Sequence, residues 1–130
     1  KKCVTGIIEL RSSATKGAEA MYGKIEALMH LVEGSCSPFN PYPAWPYRKK
    51  SSLQEKIMKT YETLGQGPLL VTPVHSGLEC GFFVDACPDL DCVSMGPDTF
   101  DLHSPKESLS ISSTFRVEHF LRELIKELAK

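Results

Sequence analysis

No run of residues is apolar for long enough to cross a bilayer, and the opening KKCVTGIIEL holds neither a methionine nor the apolar core of a secretory leader. A membrane span is therefore not expected, and the opening reads as cut from something longer. The five cysteines, Cys3, Cys36, Cys80, Cys87 and Cys92, are odd in number and include no CxxC pair. That argues against a disulfide framework or a zinc ribbon and for reduced thiols in a cytosol. A basic face is also missing. The net charge of -1 hides eight Lys or Arg against four acids in residues 1–50, and seven against twelve in residues 51–130. The acidic second half excludes a phosphate backbone as the natural partner, and Arg48, Lys49 and Lys50 form too short a run to anchor a membrane surface.

What is present suits one ordinary globular domain or parts of two. Hydrophobic residues make up 42% and charged residues 24% of the 130 positions, and a chain of this length buries roughly two thirds of its unfolded surface. Val4–Arg11 alternates in the manner of a strand. Ala18, Met21, Ile25, Leu28, Met29 and Val32 recur at helical spacing, with Gly34 placed as a stop. The segment SCSPFNPYPAWPYRKK carries four of the nine prolines, so it predicts an edge strand and then a linker, with a domain boundary near Pro46. Leu53, Ile57, Tyr61 and Leu64 mark a helix ended by Gly65, and PLLVTPV, residues 68–74, predicts a short buried strand. Cys80–Ala86 predicts a short helix closed by Pro88, followed by a strand over 91–95 that stops at Gly96-Pro97. A last helix carries Val117, Phe120, Leu121, Leu124, Ile125 and Leu128, with Ser112 or Ser113 as N-cap. Strands alternating with helices predict an α/β fold class.

Chemistry-bearing side chains crowd residues 75–107, HSGLECGFFVDACPDLDCVSMGPDTFDLHSPKE, with two histidines, three cysteines and seven carboxylates. His103 lies among Asp98, Asp101 and Glu107; it reads either as a metal ligand oriented by a carboxylate or as a solvated loop histidine. In HSGLECG, Cys80 with His75 could form a thiol nucleophile and its base, or Cys80 could be a small buried thiol at the start of a helix. Arg11, at the end of the first strand, could grip a carboxylate with two parallel bonds or simply pair with Glu9. His30 and His119 fall within helices at surface or boundary positions.

Taken in order, IIELRSS, NPYPAW, HSGLECG and VSMGPDTFDLHSPKE, followed by a helical tail, resemble the C-terminal part of the bacterial aminoacyl-histidine dipeptidases, which are carnosinase-like co-catalytic zinc metallopeptidases. That wider family also includes tripeptidase T and succinyl-diaminopimelate desuccinylase. The resemblance implies a two-domain enzyme, with a zinc-binding α/β catalytic domain and an inserted ferredoxin-like lid used for substrate closure and often for dimerisation. Residues 1–46 would be the end of the lid, in strand-helix-strand order, and residues 47–130 the C-terminal part of the catalytic domain. His103 matches the family's last zinc ligand, and Arg11 the lid arginine that holds the substrate's terminal carboxylate. Gly77 and Glu79 match a glycine-bearing loop that lines the substrate pocket, and Cys80 belongs to the motif without being the nucleophile. The remaining ligands and the glutamate general base match nothing here and are expected upstream, so no catalytic residue is assigned within the chain.

The expectation is thus a C-terminal fragment of a zinc-dependent dipeptidase, with two zinc ions in the whole enzyme and manganese or cobalt as substitutes. It would hydrolyse Xaa-His dipeptides by metal-activated water in the cytoplasm, with homodimerisation through the lid. The fragment alone is expected to be inactive. Two rivals remain: a stand-alone small-molecule-binding α/β module with Arg11 as carboxylate receptor, and a thiol hydrolase built on Cys80 and His75.

Overall fold

A computed structural model describes residues 3–130. In chain order its elements are helix α1 (Thr15–Leu31), helix α2 (Ser52–Thr63), helix α3 (Cys80–Ala86), strands β1 (Thr99–Phe100) and β2 (Ser108–Leu109), and helix α4 (Ile111–Leu128). Helices α1, α2 and α4 lie where their apolar spacing predicts them, and α3 where the short helix before Pro88 is expected. Two compact units form, the first from residues up to Arg48 with Thr72–Leu90, the second from Lys49–Val71 with Asp91–Lys130. Neither unit is a continuous stretch of chain.

The strands expected over 4–11, within 35–46, over 68–74 and over 91–95 carry no ladder among the described residues. Alternation marks a face suited to burial, but a strand is held by the N–H and C=O groups of a neighbour. Here Val4 is 95% and Leu70 84% exposed, while Leu69 and Val93 pack on helices and not on a neighbouring strand. Asp91 is put to a different use, described below.

In the first unit α1 buries none of its residues, and Ala18, Tyr22, Ile25 and Met29 form its half-buried stripe. Its C-terminus closes by two bonds, Glu33 N–H to His30 C=O and Gly34 N–H to Met29 C=O, with Glu33 in the left-handed region at φ 54°. The stop expected from Gly34 is therefore made one residue earlier by a glutamate. Gly34 is in contact with the tip of Met29, whose Cε lies 2.4 Å from where a Cβ would stand and can turn aside. The PYP turn packs on α3: Tyr42 and Phe82 meet edge to face at 4.5 Å between centroids. The Pro43 carbonyl oxygen occupies the space above Gly81, 2.5 Å from where a Cβ would lie. Arg48 donates to the carbonyls of Pro88 and Asp89 just beyond α3.

In the second unit α2 packs on α4. Ile57, Phe120 and Leu124 form its buried core, flanked by Leu53, Tyr61, Leu64, Leu69 and Val93, and Tyr61 meets Phe120 edge to face at 5.6 Å. Ser51 caps α2 by accepting from Gln54 N–H, and its hydroxyl donates to Asp91 Oδ1. Asp91 Oδ2 also accepts from Leu53 N–H, so this carboxylate and Ser51 together satisfy two first-turn amides. Gly65, at φ 67°, ends the helix as its sequence position predicts. The N-cap of α4 is Ser110 and not Ser112 or Ser113; Ser110 Oγ accepts from Ser113 N–H at 3.2 Å. Ser113 lies inside the first turn, only 2% exposed, where its hydroxyl accepts from Asp98 N–H.

Replacing Asp91 with Ala should destabilise the second unit by about 1–3 kcal/mol, with Asp91→Asn costing less because an acceptor remains. Urea titration followed by helical circular dichroism measures this. Gly81→Ala should cost the first unit about 1–3 kcal/mol, since a backbone carbonyl cannot rotate out of the way as a side chain can. Gly77→Ala, which meets only ring atoms of Tyr42 at 3.2–3.4 Å, should cost less; hydrogen exchange of the α3 amides distinguishes the two.

Candidate functional site

Three of the four residues singled out by sequence belong to the first unit and one to the second. In the first, Arg11, Gly77 and Glu79 converge on Tyr42. Gly77 lies against the Tyr42 ring, where a Cβ would stand 3.2–3.4 Å from three ring carbons. Partial burial, and next the negative charge of Glu79, push the Tyr42 hydroxyl above its ordinary pKa, while Arg11 acts in the opposite direction and Cys80 adds a last upward push. Tyr42 is therefore a protonated hydroxyl, able to donate, within electrostatic reach of one cation and one carboxylate.

Arg11 is exposed and occupied: its Nε and Nη2 both donate to Glu9 Oε1, at 2.8 and 2.6 Å. An exposed pair of this kind contributes about 0–1 kcal/mol, so another carboxylate can replace Glu9 at small cost. Glu79 stands at the N-cap position of α3 without capping it, and its side chain is exposed. Cys80 is half-buried at the first position of α3. His75 meets Ser13, whose backbone N–H donates to Nδ1 at 3.1 Å. His30 and His119 are exposed on helices.

In the second unit His103 lies on the seven-residue loop between β1 and β2. The hairpin pairs Thr99 with Leu109 and Phe100 with Ser108. Two successive turns, Ser104 N–H to Asp101 C=O and Glu107 N–H to Ser104 C=O, fold the loop back on itself. Asp101 at φ 51° and His103 at φ 61° both lie in the left-handed region, which aspartate and histidine enter more readily than most residues. Glu107 holds the second of these by accepting from His103 N–H at 2.7 Å. That leaves the His103 side chain exposed and its position set by backbone. The base of the hairpin is anchored through Asp98. Its N–H donates to Ser113, its C=O accepts from Ser110 N–H, and its carboxylate pairs with Arg116 at 3.2 Å.

Among the described residues no group of three or more His, Cys, Asp or Glu side chains is arranged to hold a metal ion. Zinc requires about four N, S or O ligands, so these residues do not by themselves fit it; His103 offers a single donor. Among the described residues, too, no helix is long and apolar enough to cross a membrane.

Sequence reasoning missed Tyr42, the bond from Ser13 to His75 and the role of Glu107. The flanking prolines of Pro41-Tyr42-Pro43, which hold the tyrosine on a stiff turn, were the available signal for the first. The i, i+4 placement of His103 and Glu107 was the signal for the third. A contact across 62 residues left no local trace for the second.

No family model matches the sequence. The chain is 30% identical over 119 residues to the cytosol non-specific dipeptidase of Escherichia coli strain K12, a match that covers 92% of this chain and 24% of that protein. The fold matches the crystal structure of aminoacylhistidine dipeptidase from Vibrio alginolyticus with a TM-score of 0.73 and 25% identity, over 89% of this chain and 24% of that one. This likeness agrees with the α/β class expected from the sequence. The chain spans about a quarter of the length of the relatives it matches. It is homologous to these dipeptidases and corresponds to one part of that family's polypeptide.

Proposed function

We propose that this chain is part of a metal-dependent dipeptidase, supplying one wall of the substrate pocket and one metal ligand. The homology to dipeptidases carries the reading. On it, residues 1–46 are lid and residues 47–130 belong to the catalytic domain, and Tyr42 of the first meets Gly77 of the second within one compact unit. Arg11 exchanges Glu9 for the terminal carboxylate of a dipeptide, and Gly77 and Glu79 line the pocket beside the Tyr42 hydroxyl. His103 donates its imidazole to a zinc centre, or to manganese or cobalt in its place, and the backbone bond to Glu107 holds its loop in the required shape.

The preferred substrate on this reading is an Xaa-His dipeptide, the cellular location is the cytoplasm, and two copies associate through the lid. The other ligands and the general base lie outside the described residues. The exposure of Val4, Ile7, Leu70, Ile111 and Phe115 suits a segment with more protein to pack against.

The purified chain should show no turnover of an Xaa-His dipeptide with added zinc, manganese or cobalt; measurable hydrolysis would remove the argument that most of the machinery lies elsewhere. In a full-length enzyme containing this segment, His103→Ala should lower zinc content and kcat together by at least about tenfold, as loss of a coordinating side chain requires. A variant that keeps its full metal content and rate would show that His103 is a surface residue.

A further inference from the structure

His75 has a feature that the pocket assignment leaves unused. Ser13 N–H lies 3.1 Å from His75 Nδ1, and the Ser13 hydroxyl 3.3 Å from the same nitrogen. A peptide N–H can only donate, so Nδ1 must present its lone pair, and a neutral ring then carries its proton on Nε2. The partner is an uncharged backbone amide, so the bond itself selects the tautomer of the neutral ring. The ring is exposed, and Nε2 has no hydrogen-bond partner among the described residues.

The bond also joins two stretches that the pocket reading places together. Ser13 follows Arg11 by two residues, His75 precedes Gly77 by two, and all four belong to the first unit. A neutral N–H donor of fixed tautomer, bonded to a residue two positions from Arg11, suits an anion with two acceptor oxygens. We propose that His75 is a substrate-binding residue, donating its Nε2–H to the carboxylate that Arg11 engages. The identity of that carboxylate as a peptide's rests on the dipeptidase reading; the tautomer and the anion preference do not.

The test uses the whole 130-residue chain with isotope-labelled histidine. Nuclear magnetic resonance should show His75 with Nδ1 unprotonated and Nε2 protonated. Ser13→Ala should preserve this because the amide stays, and Ser13→Pro, which removes the N–H, should give the tautomer mixture of a free imidazole. N-acetylglycine, a plain carboxylate probe, should shift the Nε2–H resonance, and N-acetylglycinamide should not. His75→Ala should weaken the carboxylate probe about tenfold, the loss expected for one hydrogen bond to a charged group. His75→Gln, which retains an N–H at similar reach, should recover most of it.

A wild-type ring protonated on Nδ1, or a carboxylate that leaves His75 undisturbed, overturns the proposal. If the carboxylate behaves as stated but a full-length enzyme does not cleave dipeptides, the functional reading falls and the His75 site stands. If dipeptides are cleaved and His75→Ala leaves KM unchanged, the site falls alone.

Discussion

A missing side chain governs the first unit. The Pro43 carbonyl comes so close to Gly81 that no residue with a Cβ fits there, and the same approach lays the Tyr42 ring on Gly77 and against Phe82. Two stretches of sequence more than thirty residues apart, NPYPAW and HSGLECG, are therefore parts of a single contact. Rigidity comes from one side of it and room from the other: prolines at 41, 43 and 46 restrict the turn, while glycines at 77 and 81 admit it. Arg11 and Glu79 act on Tyr42 from within this same unit, so the electrostatic surroundings of that hydroxyl depend on the backbone approach.

Three acidic residues organise the loops and helix ends of the second unit. Asp91 receives the Leu53 amide and the Ser51 hydroxyl at the start of α2. Asp98 ties the base of the β1–β2 hairpin to the start of α4, and Glu107 fixes the backbone of His103. Three of the seven carboxylates that make residues 75–107 resemble a metal site, those of Asp91, Asp98 and Glu107, thus hold loops and helix ends. A carboxylate bonded to N–H groups close in sequence shapes a turn, whereas a ligand set must converge from several directions on one point.

Periodicity located α1, α2 and α4 because each has an apolar stripe that its own length can express, whereas α3 was marked by the proline that follows it. It overstated the strands, since alternation records which face is suited to burial while ladder formation depends on a neighbour supplied from elsewhere. The same distinction separates what could be read of the site from what could not. Arg11, Gly77, Glu79 and His103 stand in short motifs that resemble a known family. Tyr42 gains its place only when the chain folds back onto α3, and Ser13 meets His75 across 62 residues that include α1 and α2. The helix caps show the limit on a smaller scale: three serines and a threonine near the start of α4 are chemically equivalent in sequence, and the hairpin's bond to Ser113 decides that Ser110 takes the cap.

The ion pair between Arg11 and Glu9 has a consequence for binding equilibria as well as for structure. Glu9 is a competitor that the chain carries for its own guanidinium, always at hand and always at the same effective concentration. Because the pair is exposed and contributes less than about 1 kcal/mol, it handicaps an incoming anion by no more than about fivefold. A weakly held chloride would gain little from such a cation, whereas a ligand with two well-placed oxygens could evict the resident and leave it to water.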